Sequence, residues 1–221
     1  MTKIEIFRVS ANFQWFVSLV VVSSCLIKYS DRPSYIKTLG FYGIISFLFS
    51  TVAKFAVSGS QVNGILNTYV FCEVIILLIL FFLAGRDKLF RSLIVAGCIS
   101  YVLIFAGAYL YYPSYVFSII RVARDLLMIF FAISYFIYLL RQLPEEDLLK
   151  FPMFWINAAV VIFFSGVFVL SYFRDYIVLV LKDDTAGFWA FRNFFSTAYW
   201  LVLAYAGWLN LKTIHATQSL N

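Results

Sequence analysis

Charged residues inside apolar stretches are the most informative chemical feature of this 221-residue chain. Glu73 lies near the middle of one long apolar stretch, and Arg121, Arg124 and Asp125 lie in the first half of another. A charged side chain at the centre of a bilayer costs at least about 2.5–3.5 kcal/mol. The i,i+3 and i,i+4 spacings place the three residues of the second stretch on one face of a helix. We expect that face to point into the protein or into a water-filled cleft, because lipid cannot solvate it.

Further polar residues lie near the ends of neighbouring apolar stretches. Lys54 is late in the second stretch, and Arg192 and Asn193 are early in the last one. Across the whole set, four basic residues outnumber two acidic ones. This surplus of positive charge favours an anionic small molecule as a ligand, or the phosphate groups of lipids.

Other interpretations of the same charges remain open at this stage. Glu73 and Arg124 could form a buried ion pair that fixes helix packing. Arg121 could extend its guanidinium to the lipid headgroups, and Arg192 could lie at the membrane interface. A path for protons or ions is a further alternative. If the ligand pocket exists, a polar thiol reagent added outside should react with cysteines placed at positions 73 and 124.

The composition excludes most soluble classes of protein. Hydrophobic residues make up 63% of the chain and charged residues only 13%, whereas soluble domains average about 45–50% and about 25%. A chain this short cannot bury so much apolar surface, which excludes a soluble enzyme, a nucleic-acid-binding domain and a disordered protein. The net charge of +6 fits basic membrane loops rather than a nucleic-acid partner.

The residues typical of metal and catalytic sites are scarce. Cys25, Cys72 and Cys98 have no metal-ligand spacing, and the single histidine, His215, follows the last apolar stretch. No histidine is therefore placed to activate a serine within the membrane. We expect no metal, no cofactor and no enzymatic activity.

Seven apolar stretches predict an all-α, polytopic membrane protein with seven transmembrane helices. Each is about 20 residues long, which is the length that a helix needs to span a bilayer, and none shows the two-residue alternation of a barrel strand. Short connections leave no room for a second domain, so we expect residues 1–221 to form a single seven-helix transmembrane domain. The segment 176–181 is too short to span and is interpreted as a helix extension or an interfacial segment. The predicted stretches are residues 12–27, 36–57, 65–84, 92–111, 115–140, 152–172 and 189–211.

The distribution of Lys and Arg predicts the orientation. One set of connections carries nine of the 17 basic residues, and the opposite side carries four. Basic residues accumulate in cytoplasmic loops, so we expect the N-terminus outside and the C-terminus in the cytoplasm. The charges within the stretches then all fall in the outer half of the membrane, and Asn157 is the main polar residue of the inner half.

Three short motifs, at residues 67–73, 154–157 and 189–193, resemble those of a known family. This is a family of small, uncharacterised seven-helix membrane proteins of Bacteroidota. Its third helix carries Tyr-x-x-x-Glu, its sixth an aromatic-Trp-Ile-Asn motif, and its seventh a polar start. Tyr69, Glu73, Asn157 and Asn193 match that pattern, whereas Arg192 stands where a histidine is expected nearby. The resemblance implies an association with two-component signalling, as a membrane sensor or an accessory of a histidine kinase.

The residues and the resemblance together predict a non-enzymatic sensor or signalling accessory of a bacterial inner (cytoplasmic) membrane. A ligand would enter an outer polar pocket, and a histidine kinase or another membrane protein would read the change through cytoplasmic loops, of which the 141–150 loop is the most charged. The alternatives are a small transporter of an anionic solute or lipid, and a structural subunit of a membrane assembly. The predicted ligand-binding residues are Lys54, Tyr69, Glu73, Arg121, Arg124, Asp125, Arg192 and Asn193.

Overall fold

A computed structural model of the chain describes residues 3–55, 59–142, 148–174, 176, 180 and 185–218. These residues are almost entirely helical and include no strand. Short 3-10 helices at Tyr29–Asp31 and Leu148–Lys150 precede two of the long helices. The long helices are α1 (Lys3–Leu26), α2 (Ser34–Phe55), α3 (Gly59–Ala84), α4 (Lys88–Tyr111), α5 (Val116–Gln142), α6 (Pro152–Tyr172) and α7 (Thr185–Gln218).

Each predicted apolar stretch coincides with one helix, which confirms the all-α class for the described part of the chain. Several helices are longer than the stretches, because backbone hydrogen bonds continue into polar turns at their ends. Two starts have local causes: the Asp87 carboxylate accepts a hydrogen bond from the Leu89 backbone N–H, and Pro152 occupies the first turn of α6. The predicted segment 176–181 and the acidic part of the 141–150 loop lie largely outside the described residues.

Within the described part of the chain, four helices are long and apolar enough to cross a membrane. They are residues Ser34–Phe55, Gln61–Ala84, Lys88–Tyr111 and Pro152–Tyr172. Ionisable residues interrupt the apolar sequences of α5 and α7. Large apolar side chains also cover the outside of the bundle, among them Leu103 and Leu110 on α4. Such a surface is satisfied by lipid, and together these features indicate a membrane protein.

Six helices pack side by side in a closed ring, with α4 outside it. Around the ring, α1 contacts α2, α2 contacts α3, α3 contacts α5, α5 contacts α6, α6 contacts α7, and α7 returns to α1. α4 packs against α3 and α5 from outside. The ring brings the last turns of α2 and α6 together with the first turns of α3, α5 and α7, and a polar site can form at that end.

Small residues allow α1 to pack closely between α2 and α7. A Cβ atom at Gly43 of α2 would lie 2.9 Å from Val22 Cγ2, and one at Gly207 of α7 would lie 2.6 Å from Ser24 Oγ. Both distances are too short for a real side chain. Glycine at these two positions therefore sets the spacing of the three helices, as small residues commonly do between membrane helices.

Arg32 joins the same three helices at the end opposite the polar site. Its Nη1 donates to Gly207 O and to Asn210 Oδ1, both at 2.8 Å, its Nη2 donates to Ser24 O at 2.8 Å, and its Nε donates to Ile27 O at 3.1 Å. The side chain is buried. It satisfies carbonyl groups at the end of α1, which have no partner within their own helix, and it fixes the α1–α2 turn against α7.

Candidate functional site

A polar cavity of about 130 Å³ lies inside the helix ring, at the end where α3, α5 and α7 begin. Residues of all six ring helices line it, together with the turn that follows α6. Its walls combine serine hydroxyls and aromatic rings with three arginines, Arg121 of α5, Arg174 after α6 and Arg192 of α7. A concave site with a few convergent polar groups is the usual form of a ligand site.

Glu73 forms one wall of the cavity, and both of its carboxylate oxygens are already occupied. Oε1 accepts hydrogen bonds from the hydroxyls of Tyr42 at 2.7 Å and Tyr69 at 3.1 Å, and Oε2 accepts one from Arg124 Nη1 at 2.8 Å. The Tyr69 oxygen is in turn 3.3 Å from Ser46 Oγ. These partners take three of the roughly four acceptor sites of a carboxylate, so Glu73 is held mainly by protein donors while it lines the cavity.

Arg124 lies behind Glu73 and binds two carboxylates at once. It pairs with Glu73 through Nη1 at 2.8 Å, and with Asp125 Oδ1 through Nη2 at 2.7 Å and Nε at 2.8 Å. Arg124 is 1% exposed and Asp125 0%, and neither residue lines the cavity. This arrangement is the buried ion pair between Glu73 and Arg124 that the sequence offered as an alternative. It joins α3 to α5 and leaves the three groups with one net negative charge.

Arg121 is buried without a carboxylate partner among the described residues. It is only 5% exposed, and its hydrogen bonds go from Nη1 to two neutral oxygens, Asn67 Oδ1 at 3.0 Å and Phe117 O at 3.1 Å. Its guanidinium also stacks 3.2 Å from the centre of the Phe117 ring. A guanidinium has five N–H donors, so Nε and Nη2 retain donors that can face the cavity.

Two more arginines complete the basic wall. The Arg174 guanidinium lies 3.7 Å from the centre of the Phe117 ring. The Arg121 guanidinium already covers one face of this ring at 3.2 Å. A second guanidinium cannot fit on the same face at 3.7 Å, so the two cations lie on opposite faces of Phe117. Arg192 is partly buried, lines the cavity, and makes no hydrogen bond or ion pair with any residue that the structure describes.

The eight residues predicted from the sequence divide into three groups. Tyr69, Glu73, Arg121 and Arg192 line the cavity, and Arg124 and Asp125 lie behind its wall. The remaining two lie elsewhere. Lys54 is on the outside of the bundle, where it donates to Asn12 Oδ1 at 3.0 Å and lies 4.4 Å from the Trp15 ring centre. Asn193 is buried and donates to Ser10 Oγ at 3.1 Å. Lys54 and Asn193 therefore join α2 and α7 to α1 instead of reaching the cavity.

Several lining residues were not predicted from the sequence, and Arg174 is the most important of them. Its place directly after α6 brings it to the same end of the bundle as Arg121 and Arg192. The floor consists of aromatic residues that carry no distinctive sequence signal. Tyr42 stacks on Trp200 with ring centres 4.8 Å apart, and Phe163 stacks on Tyr199 at 4.6 Å.

Asn157 belongs to the helix packing and not to the cavity. Its Nδ2 donates to Ala132 O at 2.8 Å and thereby links α6 to α5. Among the described residues, no group of three or more His, Cys, Asp or Glu side chains could hold a metal ion. What the site offers is guanidinium and hydroxyl donors, which suits the binding of an anion.

No protein-family model, no curated protein and no solved structure matches the chain. The chemistry assigned to the cavity therefore rests on its own residues, and the resemblance to the Bacteroidota family stays a prediction.

Proposed function

We propose that all seven helices cross a bacterial inner membrane as one domain, with the N-terminus outside and the C-terminus in the cytoplasm. The apolar outer surface supports the crossing of the membrane, and the uneven distribution of basic residues supports the orientation. Reporter fusions at the C-terminus test it. A green fluorescent protein fusion should fluoresce and an alkaline phosphatase fusion should stay inactive, whereas the opposite pattern would contradict the orientation.

The bundle acts as a non-enzymatic sensor or signalling accessory whose outer cavity binds an anionic ligand. The observation that carries this function is the buried guanidinium of Arg121, which is 5% exposed and bonded only to neutral oxygens among the described residues. Burying a charge without a counter-charge costs much free energy. An anion that enters the cavity supplies a counter-charge that no described residue provides to Arg121.

The three lining arginines belong to α5, to the turn after α6, and to α7, so a bound anion pulls these elements together. α7 also carries Gly207 and Asn210, the acceptors of Arg32 at the opposite end. Arg192 and Gly207 are 15 residues apart, about 22 Å at the helical rise. A shift of α7 at the cavity therefore reaches the cytoplasmic end, where a histidine kinase or another membrane protein reads it.

An introduced cysteine tests whether reagents added outside reach the cavity, and whether the cavity is positively charged. The three native cysteines are replaced by alanine, and Ser196→Cys is introduced on the cavity wall. We expect a sulfonated thiosulfonate reagent added outside to react about tenfold faster than a quaternary-ammonium reagent of similar size, because a basic cleft concentrates anions. Ser196 replaces positions 73 and 124 as the probe, since Glu73 holds three protein donors in place and Arg124 lies behind the wall.

Two matched variants control this experiment. Ser100→Cys on the exposed face of α4 should react with neither reagent, because lipid covers that face. Adding Arg192→Gln to the Ser196→Cys protein should reduce the preference for the anionic reagent. Failure of Ser196→Cys to react, or equal rates with both reagents, would refute the basic outer cavity.

The signalling role is tested by purifying the tagged protein from its native membrane in a mild detergent. Reproducible enrichment of a histidine kinase or another signalling protein is expected. Recovery with subunits of an envelope machine would favour a structural role instead. Recovery of the protein alone, followed by anion flux in proteoliposomes, would favour a transporter.

A further inference from the structure

We propose that the natural ligand group of this cavity is a small oxyanion, a phosphate, sulfate or carboxylate group of about six heavy atoms or fewer. This inference rests on the proposed function and names the chemical class that the site takes. Size, charge and donor type support it independently.

The volume limits the ligand group to a few atoms. Sites for drug-sized molecules usually measure about 300–1,000 Å³, whereas this cavity measures about 130 Å³. A protein cavity of roughly 150 Å³ holds one benzene molecule, which has six heavy atoms. Larger molecules can place only one end in the site, so the cavity recognises a group and not an extended surface.

The charge balance of the described residues favours an anion. Glu73 and Asp125 share Arg124, which leaves one negative charge, and Arg121 and Arg192 then add two positive charges. The set is left with one positive charge before Arg174 is counted. Among the described residues that line the cavity, Glu73 is the one carboxylate, and Tyr42, Tyr69 and Arg124 already bond its two oxygens.

The donors are suited to oxygen acceptors. Guanidinium groups bind carboxylates and phosphates through paired N–H donors, and Arg192 keeps all its donors available among the described residues. The hydroxyls of Ser46, Ser50 and Ser196 line the same cavity and can donate to further oxygen atoms. The geometry assigns Arg192 as the group that binds the anion from α7, and Arg121 as the buried group that binds it from α5.

The test measures thermal unfolding of the purified full-length protein in a maltoside detergent, with chloride keeping the ionic strength constant. Inorganic phosphate, sulfate and acetate are added separately, and dihexanoyl phosphatidic acid provides a lipid phosphate. At a hundredfold excess over its dissociation constant, a bound anion should raise Tm on the order of 5 °C. A response to a free anion supports an aqueous source, whereas a response to phosphatidic acid alone supports the same oxyanion chemistry on a lipid headgroup.

Arg192→Gln tests the assigned group without threatening the fold, because Arg192 has no partner to lose within the described structure. The variant should bind the anion at least about tenfold more weakly, the effect of losing one charged hydrogen bond. The anion affinity of Arg192→Lys should fall between those of the parent protein and of Arg192→Gln, since an ammonium cannot bind in the paired geometry. Arg86→Gln, an exposed arginine at the other end of the bundle, is the matched control and should bind as the parent protein does.

Two results would overturn the assignment. One is the absence of any Tm response to all four probes, and the other is unchanged affinity in Arg192→Gln. If Ser196→Cys still reacts preferentially with the anionic reagent while no oxyanion binds, the sensor proposal stands and only the ligand class is wrong. If Ser196→Cys does not react at all, the outer cavity itself is refuted, and both proposals fail.

Discussion

Replacing Glu73 by glutamine separates the structural role of this carboxylate from a role in ligand binding. The substitution keeps the size of the side chain and removes its charge. Glu73 is 3% exposed and accepts hydrogen bonds from two tyrosine hydroxyls and from Arg124 at distances of 2.7–3.1 Å. All three bonds involve a charged group, and bonds of that type contribute roughly 1.5–3 kcal/mol each.

The expected loss of free energy of unfolding depends on the partners that Arg124 keeps after the substitution. Breaking a buried ion pair costs about 3–5 kcal/mol when the remaining charge has no other partner. Arg124 keeps its two contacts with Asp125 Oδ1, so we expect the lower end, about 3 kcal/mol. For a chain of this length that corresponds to a Tm decrease on the order of 10 °C. Anion binding should persist in Glu73→Gln, because the carboxylate is an acceptor that repels an anion and the variant makes the cavity more positive.

The assay is unfolding of the purified protein in maltoside micelles, followed by tryptophan fluorescence, because Trp200 stacks on Tyr42 beside Glu73. Asp31→Asn makes the same chemical change at an exposed position, where the side-chain oxygen still accepts from the adjacent Ser30 hydroxyl, and should leave Tm unchanged. Tyr42→Phe completes a double-mutant cycle, in which a coupling free energy of about 1 kcal/mol or more is expected for directly bonded groups. A Tm for Glu73→Gln within about 1 °C of the parent protein, or loss of phosphate binding without loss of stability, would refute the reasoning.

Three further predictions concern helix packing and are checked by the same unfolding measurement. Arg32→Gln should lower the free energy of unfolding by about 3 kcal/mol, since four acceptors at the end of α1 and on α7 lose their donor. An unchanged Tm would show that water replaces the guanidinium. Gly97→Ala should cost about 1–3 kcal/mol, because the added Cβ would lie 2.6 Å from the buried Phe131 ring, and the Gly97→Ala/Phe131→Leu double variant should recover part of that loss. Lys28→Gly should stabilise the protein by roughly 0.5–1 kcal/mol, because Lys28 has a left-handed backbone with φ of 54° that glycine adopts without strain. A decrease in Tm would show that the interactions of the lysine side chain stabilise the fold by more than the backbone strain destabilises it.

The helices and the end of the bundle that holds the charges could be predicted from the sequence. Hydropathy and helix length are local properties, so the apolar stretches predicted seven helices. Residue counts along them placed Glu73, Arg121 and Arg192 in the same half of the bundle, with Arg192 nearer to its end. The structure brings these three residues to one cavity. Counting along a helix gives depth, however, and does not give the direction in which the helix is rotated about its own axis.

That rotation explains why Lys54 and Asn193 were assigned to the site although they lie elsewhere. Both are at a suitable depth, but both face α1, where they bond to Asn12 and Ser10. The same limitation concealed Arg174, whose position depends on how the chain leaves α6. No pattern within a single helix identifies the neighbour that a given face will meet.

The sequence by itself determined that the chain is helical and apolar, and that charged side chains are concentrated towards one end of its helices. Only the tertiary structure decided which of those charges neutralise each other. α3 and α5 are neighbours in the ring, and this places Arg124 against Glu73, 51 residues away. Among the described residues, Arg121 bonds only to the neutral oxygens of Asn67 and Phe117. The physical reason is that helix formation depends on nearby residues, whereas the pairing of buried charges depends on which helices become neighbours and how each is rotated. The basic character of the cavity is therefore a property of the assembled ring.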